Sequence, residues 1–252
     1  MKGTVPQSLA TTLFRRYLDR LMRSHFASVR WRSSTEWQGW DPAIPTLAIA
    51  NHTTWWDGFL SHQVTMAMGR HFRILMEAEH LERYRFFLRV GALPMERRHP
   101  RRAFRDLERA AGELRGNSVL WVYPQGSRRP AAERPAHLER GTGWLIAQHS
   151  GPLRVVPVAI RVPFLSEQRP EALVLVGQPW LVEGGGGLSR DRITRHLADM
   201  LGTTIDALDA DMATESLSNW TTLVHGRSSI NNRIDRVRHA LGLLPDHQER
   251  NG

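Results

Sequence analysis

The apolar run at residues 47–50, Leu-Ala-Ile-Ala, constrains the fold most, because it is one of six strand-like runs separated by segments of helical periodicity. Short apolar runs are typical of buried strands, and strands that alternate with helices form an α/β fold. We therefore predict an open, mostly parallel or mixed sheet that is flanked by helices. The predicted strands lie near residues 29–32, 47–50, 73–76, 118–122, 155–160 and 172–176.

The helical segments are recognised by apolar residues that recur every three or four positions. Residues 9–26 predict an N-terminal amphipathic helix, with leucine and aromatic side chains on one half and arginines on the other. Such a helix either packs on its own domain or lies in a membrane interface. Further helices are predicted near residues 58–68, 81–90, 101–114, 143–149, 193–201 and 230–241.

The domain organisation follows from length and composition. The chain has 252 residues, 41% of them hydrophobic, and shows no internal repeat or low-complexity segment, so one substantial core is expected. We predict a single domain over residues 1–252. It comprises an N-terminal amphipathic segment at 1–28, a motif-bearing core at 45–161 and C-terminal helices at 188–245, with a flexible glycine connector at 184–187 and a disordered polar tail after Pro245.

His52 and Asp57 follow the predicted strand at 47–50 and lie five residues apart. A carboxylate that accepts a hydrogen bond from one ring nitrogen fixes the tautomer of a histidine and leaves the other nitrogen free to take a proton. Positions five apart do not share a straight helix face, so residues 53–56 are predicted to form a turn into a helix beginning near Asp57. The alternative is that Asp57 only caps that helix and His52 is a loop histidine.

Three more blocks accompany the Asn-His-Thr-Thr-Trp-Trp-Asp block at 51–57. They are Gly-Ala-Leu-Pro-Met-Glu-Arg at 91–97, Tyr-Pro-Gln-Gly-Ser-Arg at 123–128, and an apolar run that begins Val-Val-Pro-Val at residue 155. In order and spacing these four blocks resemble those of the glycerolipid acyltransferases, the family of the lysophosphatidic acid and glycerol-3-phosphate acyltransferases. The resemblance spans about residues 45–161.

The resemblance implies an enzyme that moves a fatty acyl group from an acyl thioester to a hydroxyl of a lysophospholipid such as lysophosphatidic acid. The co-substrate is acyl-coenzyme A or an acyl carrier protein, with no cofactor. His52 corresponds to the general base, Asp57 to the acid that orients it, and Arg97 to the arginine that binds the polar head of the acceptor. The acceptor-binding turn corresponds to Gln125, Gly126, Ser127 and Arg128.

Two positions depart from the family pattern. Pro94 replaces the usual aromatic residue of the second block, and Gln125 replaces the usual glutamate of the third. The amide of Gln125 keeps an acceptor oxygen but removes a negative charge and adds donors. A different hydroxyl-bearing lipid, glycosylated or isoprenoid, is therefore an alternative acceptor.

Other kinds of catalysis fit the sequence less well. The chain has no cysteine, which excludes an acyl-cysteine intermediate, and its twelve histidines show no metal-ligand spacing, so no metal is predicted. Ser127 as the nucleophile of a hydrolase is an alternative, although its surroundings lack the second glycine of a G-x-S-x-G elbow. In a direct transfer, backbone N–H groups near Gly58 or Gly126 are candidates for stabilising the oxyanion. A non-catalytic membrane- or lipid-binding protein is the remaining alternative, and the presence of both His52 and Asp57 argues against it.

The charge of the chain predicts anionic partners. The formal net charge is +9, and Lys2 is the only lysine, so nearly all the basic residues are arginines, which suit phosphate contacts. Genome base composition, which can favour arginine over lysine, explains most of this bias, and what remains is a preference for anionic membrane surfaces, phosphorylated acceptors or the phosphates of coenzyme A. The resemblance implies a lipid acceptor and an acyl-coenzyme A or acyl carrier protein donor as partners. The basic run at 97–102 has no accompanying nucleic-acid-binding motif, so no nucleic acid is expected.

The location expected from the sequence is cytoplasmic, with peripheral attachment to the cytoplasmic face of a membrane. The sequence contains no apolar span of about 20 residues and no secretory h-region at its start.

Trp55 and Trp56, inside the first block, either form the wall of an acyl-chain tunnel or belong to the core.

Overall fold

A mixed sheet of nine strands organises the computed structural model, which describes residues 9–134, 137–165, 167–184, 187, 189–214 and 217–227. The strands are β1 (Ser28–Ser33), β2 (Thr46–Ala50), β3 (His71–Glu77), β4 (Ala92–Met95), β5 (Ser118–Val122), β6 (Leu153–Arg161), β7 (Glu171–Val176), β8 (Trp180–Val182) and β9 (Thr221–His225). Their order in the sheet is β4-β3-β5-β2-β6-β7-β1-β9, and β8 pairs with β6 outside this path.

Seven α-helices accompany the sheet within the described ranges, together with a short 3₁₀ turn at Trp37–Gly39. None of them is long and apolar enough to cross a membrane. The helices are α1 (Leu9–His25), α2 (Asp57–Ala67), α3 (Ala78–Arg83), α4 (Phe86–Arg89), α5 (Pro100–Glu113), α6 (Arg140–Gln148) and α7 (Arg190–Ala213).

The central strand β2 shows how the strand pattern builds two cores. All five of its residues are buried, and successive side chains of a strand point to opposite faces of the sheet. Leu47 and Ile49 pack with residues of α5, α6 and α7, whereas Ala48 and Ala50 pack with residues of α1 and α2. Helices therefore cover both faces of the sheet, which is why residues 47–50 are all apolar rather than alternating with polar residues.

The strand directions gather several loops at one edge of the sheet. β2 is parallel to its neighbours β5 and β6, and β3 is parallel to β4 and β5, so the carboxyl ends of these five strands share one edge, here called the carboxyl edge. β7 is antiparallel to β6, and β1 runs parallel to β7. The expected mostly parallel or mixed α/β sheet is confirmed.

The six predicted strands are all present, but three further strands were missed. β4 lies inside the second sequence block and contains Pro94, β8 has only three residues, and β9 is largely exposed. β4 is the outermost strand on its side of the sheet, a position where a proline that lacks an N–H donor is tolerated.

Two helix predictions need correction. The single helix expected at 81–90 is wrong, because α3 ends at Arg83 and Tyr84 leaves the helical region with φ −124° and ψ 61° before α4 begins. The helix expected at 193–201 is much longer, since α7 continues to Ala213 and buries a stripe that extends as far as Leu208. The helix predicted at 230–241 and the tail after Pro245 lie outside the described residues.

Candidate active site

The carboxyl ends of β2, β4 and β5 bring the predicted site residues to one place. These strands end immediately before residues 51, 96 and 123, so the loops that carry the first, second and third sequence blocks leave the sheet at the same edge. This is the position at which open α/β sheets bind their ligands.

Asn51 fixes the point at which the chain leaves the sheet. Its side-chain amide donates to the carbonyl oxygen of Ile160 at 3.0 Å, and the Ile160 N–H donates to Asn51 Oδ1 at 2.7 Å. The buried side chain thus extends the pairing between β2 and β6 by one step. Sequence reasoning assigned no role to Asn51, although its place just after a buried strand was a signal.

His52 and Asp57 are in direct contact. Asp57 Oδ2 lies 2.8 Å from His52 Nδ1, the Asp57 side chain is fully buried, and 27% of the His52 side chain is exposed. His52 Nε2 has no hydrogen-bond partner within the described part of the chain. The ring is therefore held at one nitrogen and open at the other.

The turn at residues 53–56 is organised around the same carboxylate. Asp57 Oδ2 accepts the backbone N–H groups of Thr53 and Thr54 at 2.7 and 3.0 Å, and Asp57 Oδ1 accepts the Thr54 hydroxyl at 2.6 Å. α2 begins at Asp57, as predicted, but the carboxylate binds the turn before the helix. With His52, four donors hold this buried anion. None of these four donors is an N–H group of α2, so the capping alternative does not describe these contacts.

Tyr123 covers one face of the His52 ring. The two rings are stacked, with centroids 4.6 Å apart and planes inclined by 26°. The Tyr123 hydroxyl lies 2.8 Å from the Ser61 hydroxyl of α2. Burial, and then the negative charge of Asp57, raise the pKa of Tyr123 well above its ordinary value, whereas the hydrogen bond with Ser61 acts in the opposite direction. Tyr123 therefore stays a neutral phenol beside His52. Sequence reasoning missed this contact.

Gln125 holds the backbone of His52. The His52 N–H donates to Gln125 Oε1 at 2.9 Å, and the Gln125 side chain is buried. Oε1 thus performs a contact that a glutamate oxygen can also make. The difference between Gln125 and the family's glutamate is the missing charge and the additional N–H donors of the amide.

Arg97 reaches the third block through its guanidinium group. Arg97 Nη1 donates to the carbonyl oxygen of Gly126, and Arg97 Nη2 lies 3.6 Å from Glu139 Oε1. Gly126 has a φ of +72°, and a Cβ at this position would lie 2.8 Å from both Arg97 and Glu139. The positive φ favours glycine at position 126, and a Cβ there would also displace the side-chain ends of Arg97 and Glu139.

The turn that carries Arg97 is held by Glu96. Glu96 Oε1 accepts the N–H groups of Arg97 and Arg98 at 2.9 and 2.8 Å, and the Glu96 N–H donates to Asp106 Oδ2 of α5 at 2.9 Å. The hydrogen bond from the Arg98 N–H is the main reason why the pKa of Glu96 is lowered. Asp106 and Glu96 had no predicted role.

The sequence profile of the acyltransferase family matches residues 36–161, which include all four blocks and make up half of the chain. The chain belongs to this acyltransferase family. No curated protein matches its sequence. The crystal structure of the 1-acyl-sn-glycerophosphate (LPA) acyltransferase from Thermotoga maritima is similar, with a TM-score of 0.51, 15% identity, and coverage of 80% of this chain and 78% of that chain. At this identity the likeness concerns the fold. The resemblance to glycerolipid acyltransferases is confirmed.

Two of the predicted site residues of this acyltransferase make no side-chain contact. Ser127 and Arg128 are exposed, and among the described residues neither has a side-chain hydrogen bond or ion pair. The next residue is tied to the site, since the Arg129 N–H donates to the carbonyl oxygen of His52 at 2.8 Å. No hydrogen bond joins Ser127 to His52, so this structure gives no support to the hydrolase reading.

The two candidates for an oxyanion donor differ. The Gly126 N–H donates to the carbonyl oxygen of Tyr123 at 3.0 Å and is therefore already used within its own turn. Gly58 is the second residue of α2, a position whose N–H has no acceptor in its own helix. Of the two predicted donors, only Gly58 remains a candidate.

The tryptophans of the first block have different environments. Trp56 packs on Phe26 with ring centroids 4.8 Å apart and belongs to the core, whereas Trp55 is 59% exposed. A cavity of about 760 Å³ is lined by residues of α7 together with Arg134, His137, Leu138 and Arg140, and by none of the predicted site residues. In the described part of the acyltransferase, no three His, Cys, Asp or Glu side chains are grouped so that they could hold a metal ion.

Proposed function

We propose that this acyltransferase moves a fatty acyl group from an acyl thioester to a hydroxyl of a lysophospholipid, with His52 as the general base. The observation that carries the proposal is the contact between His52 Nδ1 and the buried, four-fold hydrogen-bonded Asp57. A carboxylate so fixed selects the tautomer with a proton on Nδ1 and a lone pair on Nε2. It also stabilises the imidazolium that forms when Nε2 takes a proton.

The proposed reaction is a direct transfer. His52 Nε2 takes the proton of the acceptor hydroxyl as its oxygen attacks the thioester carbonyl, and a tetrahedral oxyanion forms. When this intermediate collapses, the C–S bond breaks and the thiolate leaves with the proton from His52. General-base catalysis of this kind contributes about two to four orders of magnitude in rate.

The acceptor head is proposed to bind where the second and third blocks meet. Arg97 lies there against Gly126, and the exposed Arg128 has no partner among the described residues. Two arginines beside the base favour an acceptor with a phosphate group. Lysophosphatidic acid is the default acceptor, and the Thermotoga maritima enzyme is named for the same substrate. A glycosylated or isoprenoid lipid is the alternative that Gln125 keeps open.

The partners proposed are an acyl-coenzyme A or acyl carrier protein donor, the lipid acceptor and the surface of a membrane. We propose peripheral attachment on its cytoplasmic face. The catalytic steps are assigned to residues of the chain itself and require no cofactor.

Release of free thiol from acyl-coenzyme A tests the proposal, because a chain without cysteine contributes no thiol of its own. The wild type and His52→Ala are measured with and without a panel of lysophospholipids, and His80→Ala, which changes an exposed histidine of α3, is the matched control. We expect release that depends on the acceptor, is unchanged in the control and falls by about two to four orders of magnitude in His52→Ala.

Three other results would contradict the proposal. Equal activity of His52→Ala and the wild type would exclude His52 as the base. Full release with water alone that disappears in Ser127→Ala would make the protein a hydrolase. No release with any lysophospholipid, total lipid extract or carrier-protein donor, combined with retained lipid binding, would favour the non-catalytic alternative.

A further inference from the structure

Six large apolar side chains are exposed on the side of the molecule where α1, α4 and the start of α2 meet. Each of them is at least 43% exposed, which is unusual for a cluster of this size on a monomeric protein surface. Together they form the surface here called the apolar patch: Leu13, Tyr17, Trp55, Tyr84, Phe86 and Leu88.

Ring contacts through two half-buried phenylalanines connect three members of the patch, Trp55, Tyr84 and Phe86. The Trp55 ring packs on Phe59 with centroids 4.6 Å apart, and Phe59 packs on Phe87 at 6.1 Å. Phe87 in turn contacts Tyr84 at 6.4 Å and Phe86 at 6.2 Å. The half-buried Phe59 and Phe87 thus support the exposed members from below.

α1 contributes to the patch while it remains anchored to the domain. Phe14 and Leu18 are buried, and the Phe14 ring contacts Phe86 at 5.4 Å. Leu13 and Tyr17 occupy the neighbouring stripe of the helix and stay exposed. Packing on the domain and contact with a membrane, the two alternatives expected for this amphipathic helix, are therefore compatible. One stripe of the helix packs on the domain, and the neighbouring stripe faces outward.

Arginines surround the patch. The segment at 82–89 contains three arginines and one acidic residue, Glu82, and α1 adds Arg16 and Arg20; all of these charged residues are exposed. The Arg83 guanidinium lies over the Tyr84 ring, 5.3 Å from its centroid. Exposed aromatic side chains bordered by arginines match the boundary between the acyl chains and the head groups of an anionic bilayer.

The patch borders the site, because Trp55 is only three residues from His52. We propose that the apolar patch docks the acyltransferase on an anionic lipid bilayer, with Trp55, Phe86 and Leu88 at the level of the head groups and the arginines on anionic lipids. A lipid acceptor in that bilayer then meets His52 without leaving the head-group region. The proposed function supplies the identity of the acylated molecule in this inference, and the binding of the patch to a bilayer does not depend on it.

Two leucines of similar exposure allow a matched test. Leu88 in the patch is 43% exposed and Leu181 is 48% exposed. Leu181 pairs with Arg154 near the amino end of β6, at the edge of the sheet opposite His52. Binding of the wild type, Leu88→Asp and Leu181→Asp is measured by sedimentation with vesicles of phosphatidylcholine and phosphatidylglycerol. We expect about tenfold weaker binding for Leu88→Asp, because one apolar anchor is lost and a negative charge is added.

The arginines that border the apolar patch allow a second test of the docking. Arg85→Glu combined with Arg89→Glu should weaken binding to the anionic vesicles, and salt should weaken binding of the wild type. The matched control is Arg105→Glu combined with Arg192→Glu, which changes two exposed arginines of α5 and α7. This control should bind like the wild type.

The readouts separate docking from catalysis. His52→Ala should bind vesicles like the wild type, and Leu88→Asp should keep its rate of thiol release with a short-chain acceptor that is monomeric in solution. If the wild type does not sediment with vesicles, or if Leu181→Asp loses as much binding as Leu88→Asp, the docking surface is wrong whatever the enzyme acylates. A change in oligomeric state of Leu88→Asp in the ultracentrifuge, without a change in vesicle binding, would instead assign the patch to a second copy of the chain.

Discussion

At the scale of single residues, Asp57 determines what His52 can do. Its carboxylate is fully buried, and a buried charge is tolerated only when several donors satisfy it. Three of its four donors come from Thr53 and Thr54, so the turn between His52 and α2 places the charge before any substrate binds. The fourth contact, between Asp57 Oδ2 and His52 Nδ1 at 2.8 Å, fixes the position of the imidazole ring.

Asp57→Asn should therefore impair the acyl-transfer step rather than binding of the acceptor. The asparagine amide has nearly the same shape as the carboxylate, but it lacks the charge that stabilises the imidazolium. Its NH₂ group would also face N–H and O–H donors that now bind a carboxylate oxygen. We expect kcat to fall by about two to four orders of magnitude with little change in KM for the acceptor. Steady-state thiol release measures both quantities, and circular dichroism checks that the variant is folded. An Asp57→Asn enzyme with normal kcat would contradict the assigned role.

Gln125→Glu tests what the missing charge does at the same site. Glutamate can still accept the His52 N–H through one oxygen, so the loop should keep its position. The new negative charge favours the protonated form of a nearby imidazole, and a general base must be neutral. We expect the acid limb of the pH–rate profile to move to higher pH by up to about one unit. Gln178→Glu, on an exposed glutamine, is the control, and an unmoved profile in Gln125→Glu would argue against the proximity of this charge.

At the scale of elements, Tyr123 connects the end of β5 to α2. Its ring stacks on His52, and its hydroxyl pairs with Ser61, which lies one turn after Asp57 on the same helix. The strand and the helix thus hold the imidazole from two directions. Asp57 fixes one edge of the ring, and Tyr123 fixes one face.

Two substitutions at Tyr123 should separate these contributions. Tyr123→Phe keeps the stacked ring and removes the contact with Ser61, so it should cost about 1 kcal/mol of stability and leave kcat nearly unchanged. Tyr123→Leu removes the aromatic face that favours the imidazolium, so kcat should fall about three- to tenfold at constant KM. Chemical unfolding and steady-state kinetics measure the two effects. A larger loss of kcat in Tyr123→Phe than in Tyr123→Leu would show that the hydroxyl, not the ring, matters.

The elements that could be predicted from sequence are those with strong local patterns. β2 and β5 are buried throughout and apolar after their first residue because helices cover both faces of the sheet, and such runs are visible without a structure. β4 and β9 could not be found in this way. Only one residue in each is buried, and the pairing of β9 also depends on β1, which is distant in sequence.

The same distinction applies to the site. His52 and Asp57 could be paired from sequence because the turn between them is local. The contact of Gln125 with the His52 backbone joins residues 73 positions apart, and the hydrogen bonds of Asn51 with Ile160 span 109 positions. No periodicity records such contacts, and only the order of the strands in the sheet creates them.

At the scale of the whole molecule, His62 is a buried titratable group where α1 packs on α2. It is buried on α2 between the rings of Phe14 and Phe72, at 5.3 and 5.1 Å, and neither ring nitrogen has a hydrogen-bond partner in the described structure. Burial, and then the positive charge of Arg15, lower the pKa of His62 from 6.5 to about 4, whereas Asp19 acts in the opposite direction. The folded protein therefore keeps this imidazole neutral.

The free energy of unfolding should consequently decrease on acidification. Between pH 6.5 and about 4 the unfolded chain binds a proton at His62 and the folded chain does not, so stability falls as the pH falls through this window. The full effect is on the order of 3 kcal/mol. His62→Leu removes the titrating group while it keeps an apolar side chain between the two rings. Its unfolding free energy should therefore depend less on pH over this range than that of the wild type. Urea unfolding at several pH values measures the slope, and His80→Leu, at an exposed histidine, should leave it unchanged. A slope in His62→Leu equal to that of the wild type would mean that other groups account for the acid sensitivity.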